Sequence, residues 1–122
     1  MLRGKSVLLV EDEPLIGMDI LMALEDAGAQ VSGPLRSIKA CMAEIDGHGT
    51  EAPWNVAILD YNLLDGSAET LITRLAEQTV PIILHTGNPE SVQSEFLESV
   101  TEVVPKPSRT DDLLNAVKRG IG

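Results

Sequence analysis

Aromatic residues are nearly missing from this chain. Trp54, Tyr61 and Phe96 are the whole complement, 2% of 122 residues. The core must therefore be aliphatic, and stacking of nucleic-acid bases on aromatic platforms is not expected. Positive charge is also scarce: nine Lys and Arg stand against nineteen Asp and Glu, a net charge of −10. That field repels polyanions, so neither nucleic acid nor an anionic membrane is expected as a direct partner. A single cysteine, Cys41, excludes an intramolecular disulfide and fits a reducing compartment. Long hydrophobic runs are absent too. The first apolar run, Val7 to Val10, is cut off by Glu11, Asp12 and Glu13, too early for a signal sequence. No stretch approaches the ~20 apolar residues of a spanning helix. The expectation is a soluble, cytoplasmic protein.

What is present is ordinary for a globular protein, with 43% hydrophobic and 23% charged residues. One domain over residues 1–122 is expected, burying roughly two-thirds of its unfolded surface. Short Val, Ile and Leu runs alternate with helical stretches. The runs are Val7–Val10, Val31–Gly33, Val56–Leu59, Ile82–Leu84 and Val103–Val104. Three are continuously apolar, as in parallel strands covered on both faces. The Val31 and Val103 runs are weak and suit edges. Pro14 opens a first helix, with Ile16, Ile20, Ala23, Leu24 and Ala27 on one face and Gly28 as its stop. Further helices are predicted over Ser37–Ile45, Ser67–Gln78 and Pro89–Ser99, the last capped by Asn88 with Val92, Phe96 and Val100 as its stripe. Ser108 and Asp111 suggest a capping box for a final helix burying Leu113, Leu114, Val117 and Ile121. This alternation predicts an α/β fold, a doubly wound five-stranded parallel sheet, flavodoxin-like, in a three-layer sandwich. The weak second run as an edge favours the order 2-1-3-4-5, which spacing alone does not fix.

The polar residues fall where such a sheet binds ligands. Glu11 and Asp12 follow the first run, Asp60 the third, Thr86 the fourth after His85, and Lys106 the fifth. In an open parallel sheet these strand ends share one edge. Carboxylates gathered there repel one another, and a divalent cation with oxygen ligands, Mg²⁺, is the compensation they suggest. A lysine and a threonine hydroxyl suit a phosphoryl group, with one carboxylate as nucleophile. Each residue has a plainer explanation alone. The acids can be a helix first turn, Asp60 a turn residue, Thr86-Gly87-Asn88-Pro89 a cap, and Lys106 a solvated loop lysine. His85 reads as structural, Cys41 as packing, and Met18 and Met22 as filler or surface. The joint placement at four strand ends favours a site.

These residues form recognisable strings: Val7-Leu-Leu-Val-Glu-Asp-Glu-Pro14, Ala57-Ile-Leu-Asp-Tyr-Asn-Leu63 with Asp65-Gly66, Thr86-Gly87, and Lys106-Pro107. In that order and spacing, from Val7 to the last helix, the chain resembles the receiver domain of two-component response regulators, the CheY-like sandwich, and most of all small stand-alone receivers. The resemblance implies that Asp60 is the phosphoacceptor, charged by a phosphohistidine of a sensor histidine kinase or a histidine phosphotransfer protein. It implies Mg²⁺ held by Glu11, Asp12, Asp60 and the backbone carbonyl of Asn62. Thr86 would bind phosphoryl oxygens as the switch, Lys106 would neutralise them, and the Lys106-Pro107 bond would be cis. With no sequence after Gly122 for an output domain, the signal is expected to pass through contacts with an unidentified downstream protein. The last helices leave room for a weak homodimer.

The chain departs from the family pattern at Glu11, commonly Asp, at Leu64, commonly Pro, and at Gly87, commonly Ala. Val103 stands where many members carry Tyr or Phe, which removes the usual coupled switch, and Ser108 replaces a common aromatic. Other functions fit less well. An aspartyl-phosphate hydrolase needs an acid two residues after the nucleophile, where Asn62 stands. A flavodoxin-type cofactor loop would not be Glu-Asp-Glu. A constitutive interaction module that keeps the acids without using them stays open. The expected role is thus a phosphoacceptor rather than an enzyme, with only self-catalysed phosphotransfer and autodephosphorylation.

Overall fold

A computed structural model describes residues 2–121; Met1 and Gly122, the ends of the expected domain, lie outside the described residues. The strands are β1 (Ser6–Val10), β2 (Gln30–Leu35), β3 (Val56–Asp60), a small ribbon β4 (Asn62–Leu63) and β5 (Gly66–Ser67), then β6 (Ile82–Thr86) and β7 (Glu102–Pro105). The main sheet has the order β2-β1-β3-β6-β7, and every pairing in it is parallel. With the ribbon set aside, this is the expected order 2-1-3-4-5. The continuously apolar runs are the interior strands, and β3 and β6 are buried at every residue. The two weak runs are the edges, where half-burial asks for less apolar sequence.

Alternation along the strands divides the core between two faces. Val7, Leu9, Val56, Ile58 and Ile83 meet Ile20, Leu24, Leu113, Ala116 and Val117 of helices α1 (Pro14–Asp26) and α5 (Thr110–Ile121). Leu8, Val10, Ala57, Leu59, Ile82 and Leu84 meet Cys41 and Ile45 of α2 (Ile38–Gly47) and Leu71, Ile72 and Leu75 of α3 (Glu69–Glu77). Each such aliphatic side chain contributes about 1.5–3 kcal/mol by leaving water. Met18 and Met22 are surface residues, 49% and 57% exposed. Gly33 has φ +126°, and a Cβ there would lie 2.2 Å from the Leu9 carbonyl oxygen, so β2 can lie against β1 only with glycine at this point. Both the Gly33–Pro34 and Lys106–Pro107 peptide bonds are cis, the second as the resemblance implied.

Two local expectations need correction. The predicted helix over Pro89–Ser99 is instead a 3₁₀ turn at Pro89–Ser91 and a single-turn α4 (Ser94–Leu97). Val92 and Gln93 between them are extended, and Val92 is drawn into the core. Serine and a β-branched valine resist helix weakly, so one buried contact prevails. The Asn88 side chain makes no cap; its carbonyl accepts from the Ser91 N–H and hydroxyl. At α5 the capping lies one residue further along than expected: Asp112 accepts the Arg109 N–H at 3.1 Å. Ser108 is engaged elsewhere, 2.9 Å from the His85 ring.

Candidate functional site

Because the strands are parallel, the carboxyl ends of β1, β3, β6 and β7 lie along one edge. β3 pairs Asp60 opposite His85, and β6 pairs Thr86 opposite Pro105. The Lys106 N–H then donates to the Thr86 carbonyl at 2.8 Å, fixing the start of the Lys106 side chain over the strand ends. Asp12 accepts from Arg36 through its carbonyl, tying the β1 loop to β2.

The acids and the lysine converge. Glu11 is 1% exposed and Asp60 5%, while Asp12 is half-buried. Each of the three offers an oxygen, and these lie within 4.8 Å of one another. The Lys106 ammonium stands between two of them, 3.2 Å from Asp60 Oδ2 and 3.0 and 3.3 Å from the Glu11 oxygens. Glu13 Oε1 is 3.8 Å from it, and the Glu13 N–H donates to Glu11 Oε2 at 3.1 Å. Asp12, Glu13, Asp60, Asn62, Gly87, Asn88 and Lys106 line an open depression of about 280 Å³. That is smaller than the roughly 300–1,000 Å³ of sites for larger organic ligands.

One ammonium does not balance this charge. Burial, and then the neighbouring Glu11, push the Asp60 carboxyl well above the usual range, with Lys106 opposing. Burial works against the Lys106 ammonium as well, but Glu11 and Asp60 outweigh it and raise its pKa. Glu11 Oε1 is buried and has no hydrogen-bond partner. An all-oxygen donor set with excess negative charge and an unsatisfied buried carboxylate oxygen fits a hard divalent cation such as Mg²⁺.

The remaining expected residues lie around this cluster. Thr86 is fully buried, and its hydroxyl oxygen accepts from the Asn88 N–H at 3.2 Å. The Asn62 N–H donates to Asp60 Oδ1 at 3.3 Å, which holds the carboxylate plane. Two residues carry more than their sequence suggested. Asp65 accepts the Ile38 and Lys39 N–H groups at 2.7 and 3.1 Å, anchoring the loop after Asp60 to the start of α2. Those bonds, the Ile38 bond first, hold the Asp65 carboxyl below its ordinary value. His85, 3% exposed, places Nδ1 3.8 Å from Glu11 Oε1. Burial, and secondarily Lys106, lower its pKa to about 4, so it is neutral at pH 7. Its place one residue before Thr86 was the only sequence signal for this.

No family model and no curated protein matches the chain. Solved structures do match it, over nearly its whole length. The receiver domain of the sensor histidine kinase PA1611 from Pseudomonas aeruginosa, with a magnesium ion coordinated in its active-site cleft, is 22% identical with a TM-score of 0.77, covering 98% of each chain. The response regulator TrrA from Thermotoga maritima, in complex with Mg²⁺-BeF, is 20% identical with a TM-score of 0.79, covering 95% of this chain and 98% of that one. The chemotaxis response regulator CheY4 of Vibrio cholerae is 24% identical with a TM-score of 0.78 and the same coverage. The class is therefore a doubly wound α/β domain with its polar cluster at the strand carboxyl ends. Within that class the fold is that of response-regulator receiver domains.

Proposed function

We propose that residues 1–122 form one receiver domain of a two-component system, in which Asp60 accepts a phosphoryl group from a partner phosphohistidine. The observation that carries this is the Lys106 ammonium lying between buried Glu11 and Asp60, with Asp12 beside them. Glu11, Asp12, Asp60 and the backbone carbonyl of Asn62 would hold Mg²⁺. When bound, the ion offsets the negative charge that otherwise repels a phosphoryl group.

The chain's own groups account for the rest. An ionised Asp60 oxygen attacks phosphorus; the O–P bond forms as the P–N bond breaks, and the histidine nitrogen keeps that electron pair. Lys106 favours the ionised carboxylate and then pairs with the phosphoryl oxygens. The Thr86 hydroxyl accepts from Asn88 and has its own hydrogen left to donate to the phosphoryl group. Phosphorylation adds about −1.5 to −2 charge, and the loops bearing Thr86 and Lys106 gain a partner that favours an inward state.

The donor is a protein, a sensor histidine kinase or a histidine phosphotransfer protein. Supporting that, Leu15, Met18 and Met22 make an exposed apolar stripe on α1, 83%, 49% and 57% exposed, beside the site. Output runs through contacts with a downstream protein in the cytoplasm, and the chain turns over no substrate beyond its own phosphoryl group. Among the described residues no helix is long and apolar enough to cross a membrane.

The test is intact-mass measurement after incubation with a small phosphodonor and Mg²⁺. The wild type gains one phosphate, and Asp60→Asn and metal-chelated samples gain none. No gain in the wild type, or a gain that survives in the Asp60→Asn variant, refutes the assignment.

A further inference from the structure

Below the acidic cluster, on the α1–α5 side of the sheet, two buried polar atoms face each other, neither of them hydrogen-bonded. His85 Nδ1 and Glu11 Oε1 are 3.8 Å apart, and neither has a hydrogen bond. The other ring nitrogen, Nε2, is 2.9 Å from Ser108 Oγ. Lys106 makes its hydrogen bond to Glu11 through Oε2 and passes Oε1 at 3.0 Å. Unpaired buried polar atoms are rare and call for an account.

A neutral imidazole has a single N–H. With that hydrogen on Nε2, Nδ1 would turn a lone pair toward the Glu11 carboxylate, two acceptors facing each other. With the hydrogen on Nδ1, the ring presents a donor to Glu11, and Nε2 accepts from the Ser108 hydroxyl, whose rotor is free to point that way. Only the second arrangement satisfies both ends. A modest turn of the Glu11 carboxylate closes the remaining distance.

We propose that His85 is a positioning residue for Glu11: its Nδ1–H, with Nε2 accepting from the Ser108 hydroxyl, orients the Glu11 carboxylate and leaves its other lone pairs to a cation. This rests on Glu11 being a ligand of Mg²⁺, and it deepens that reading by tying β6 and the loop before α5 to the metal site. Donors that orient a ligating group in this way commonly govern metal affinity by about 10–100-fold.

The test uses the full ¹⁵N-labelled chain and two readouts. Long-range imidazole ¹H–¹⁵N spectra show the Nδ1–H tautomer for His85, with and without Mg²⁺. Calorimetric Mg²⁺ titration then separates the substitutions, because an Asn amide lies near the Nδ1 position and a Gln amide near Nε2. His85→Asn keeps affinity within about threefold, whereas His85→Gln and His85→Leu weaken it by about tenfold or more. An Nε2–H tautomer, a Gln variant that binds better than Asn, or wild-type affinity in all three overturns the proposal. Should a variant fail to fold, Ser108→Ala decides: with the Glu11 carboxylate still facing Nδ1 the Nδ1–H tautomer persists, and a switch to Nε2–H overturns the proposal. A wild type that binds no Mg²⁺ refutes the receiver reading instead. The spectra of Glu11→Gln then decide the contact, since a His85 Nδ1–H that senses Glu11 must shift.

Discussion

At the amino-terminal edge of the sheet polar groups pair with one another within the chain. Ser6 and Asn55 exchange bonds of 2.8 Å, Thr101 exchanges bonds with Ile82, and the Trp54 ring N–H donates to Ser32 at 3.0 Å. At the carboxyl-terminal edge three carboxylates share one ammonium, and two buried atoms, Glu11 Oε1 and His85 Nδ1, have no hydrogen bond. The same strands end in both places, so the difference lies in the residues just past them. One edge is closed by paired groups, the neutral ones above and the Arg119–Glu102 ion pair at the start of β7. The other holds like charges together on the strength of the sheet, and so favours whatever brings positive charge to it.

Removing the one cation has the largest expected effect. Lys106→Met leaves Glu11 and Asp60 buried without a counter-charge and costs about 3 kcal/mol at pH 7 in metal-free urea unfolding. The loss shrinks as pH falls through the raised Asp60 range and that carboxyl protonates. Asp60→Asn acts oppositely. Burial and Glu11 raise the Asp60 pKa, so between its ordinary and raised values the folded chain binds more protons than the unfolded. Stability therefore falls as pH rises through that window. Asn at this position abolishes that slope and stabilises the metal-free fold by on the order of 1–3 kcal/mol at pH 7. The smallest effect belongs to the closed edge. Asn55→Ala costs about 1 kcal/mol, the same with or without Mg²⁺ and nearly flat in pH. Equal responses to Mg²⁺ at both edges would remove the contrast.

The sequence made the sheet legible because strand burial is a local pattern: Val56–Leu59 and Ile82–Leu84 suit interior strands, and the weaker Val31 and Val103 runs suit edge or short strands. The gathering of Glu11, Asp12, Asp60 and Lys106 was legible too, since parallel strand ends must meet. The α4 segment was not. Val92 fits a helical stripe on paper, but the core takes it as an extended residue. Ser108 fits a capping box on paper, but His85 from β6 claims its hydroxyl. Both failures are long-range contacts overriding weak local preference. The tie from His85 to Glu11 was invisible for the same reason, although two family departures, Glu11 and Ser108, turn out to adjoin the same ring.

The most direct test of the frustrated edge is thermal unfolding of wild type and Asp60→Asn across a Mg²⁺ titration. Metal-free Asp60→Asn is expected to melt above the wild type. Mg²⁺ is expected to stabilise the wild type by about 2.7 kcal/mol at a hundredfold excess over Kd, and the variant far less. A wild type indifferent to Mg²⁺, or a metal-free variant that melts below it, would show that the edge is not frustrated.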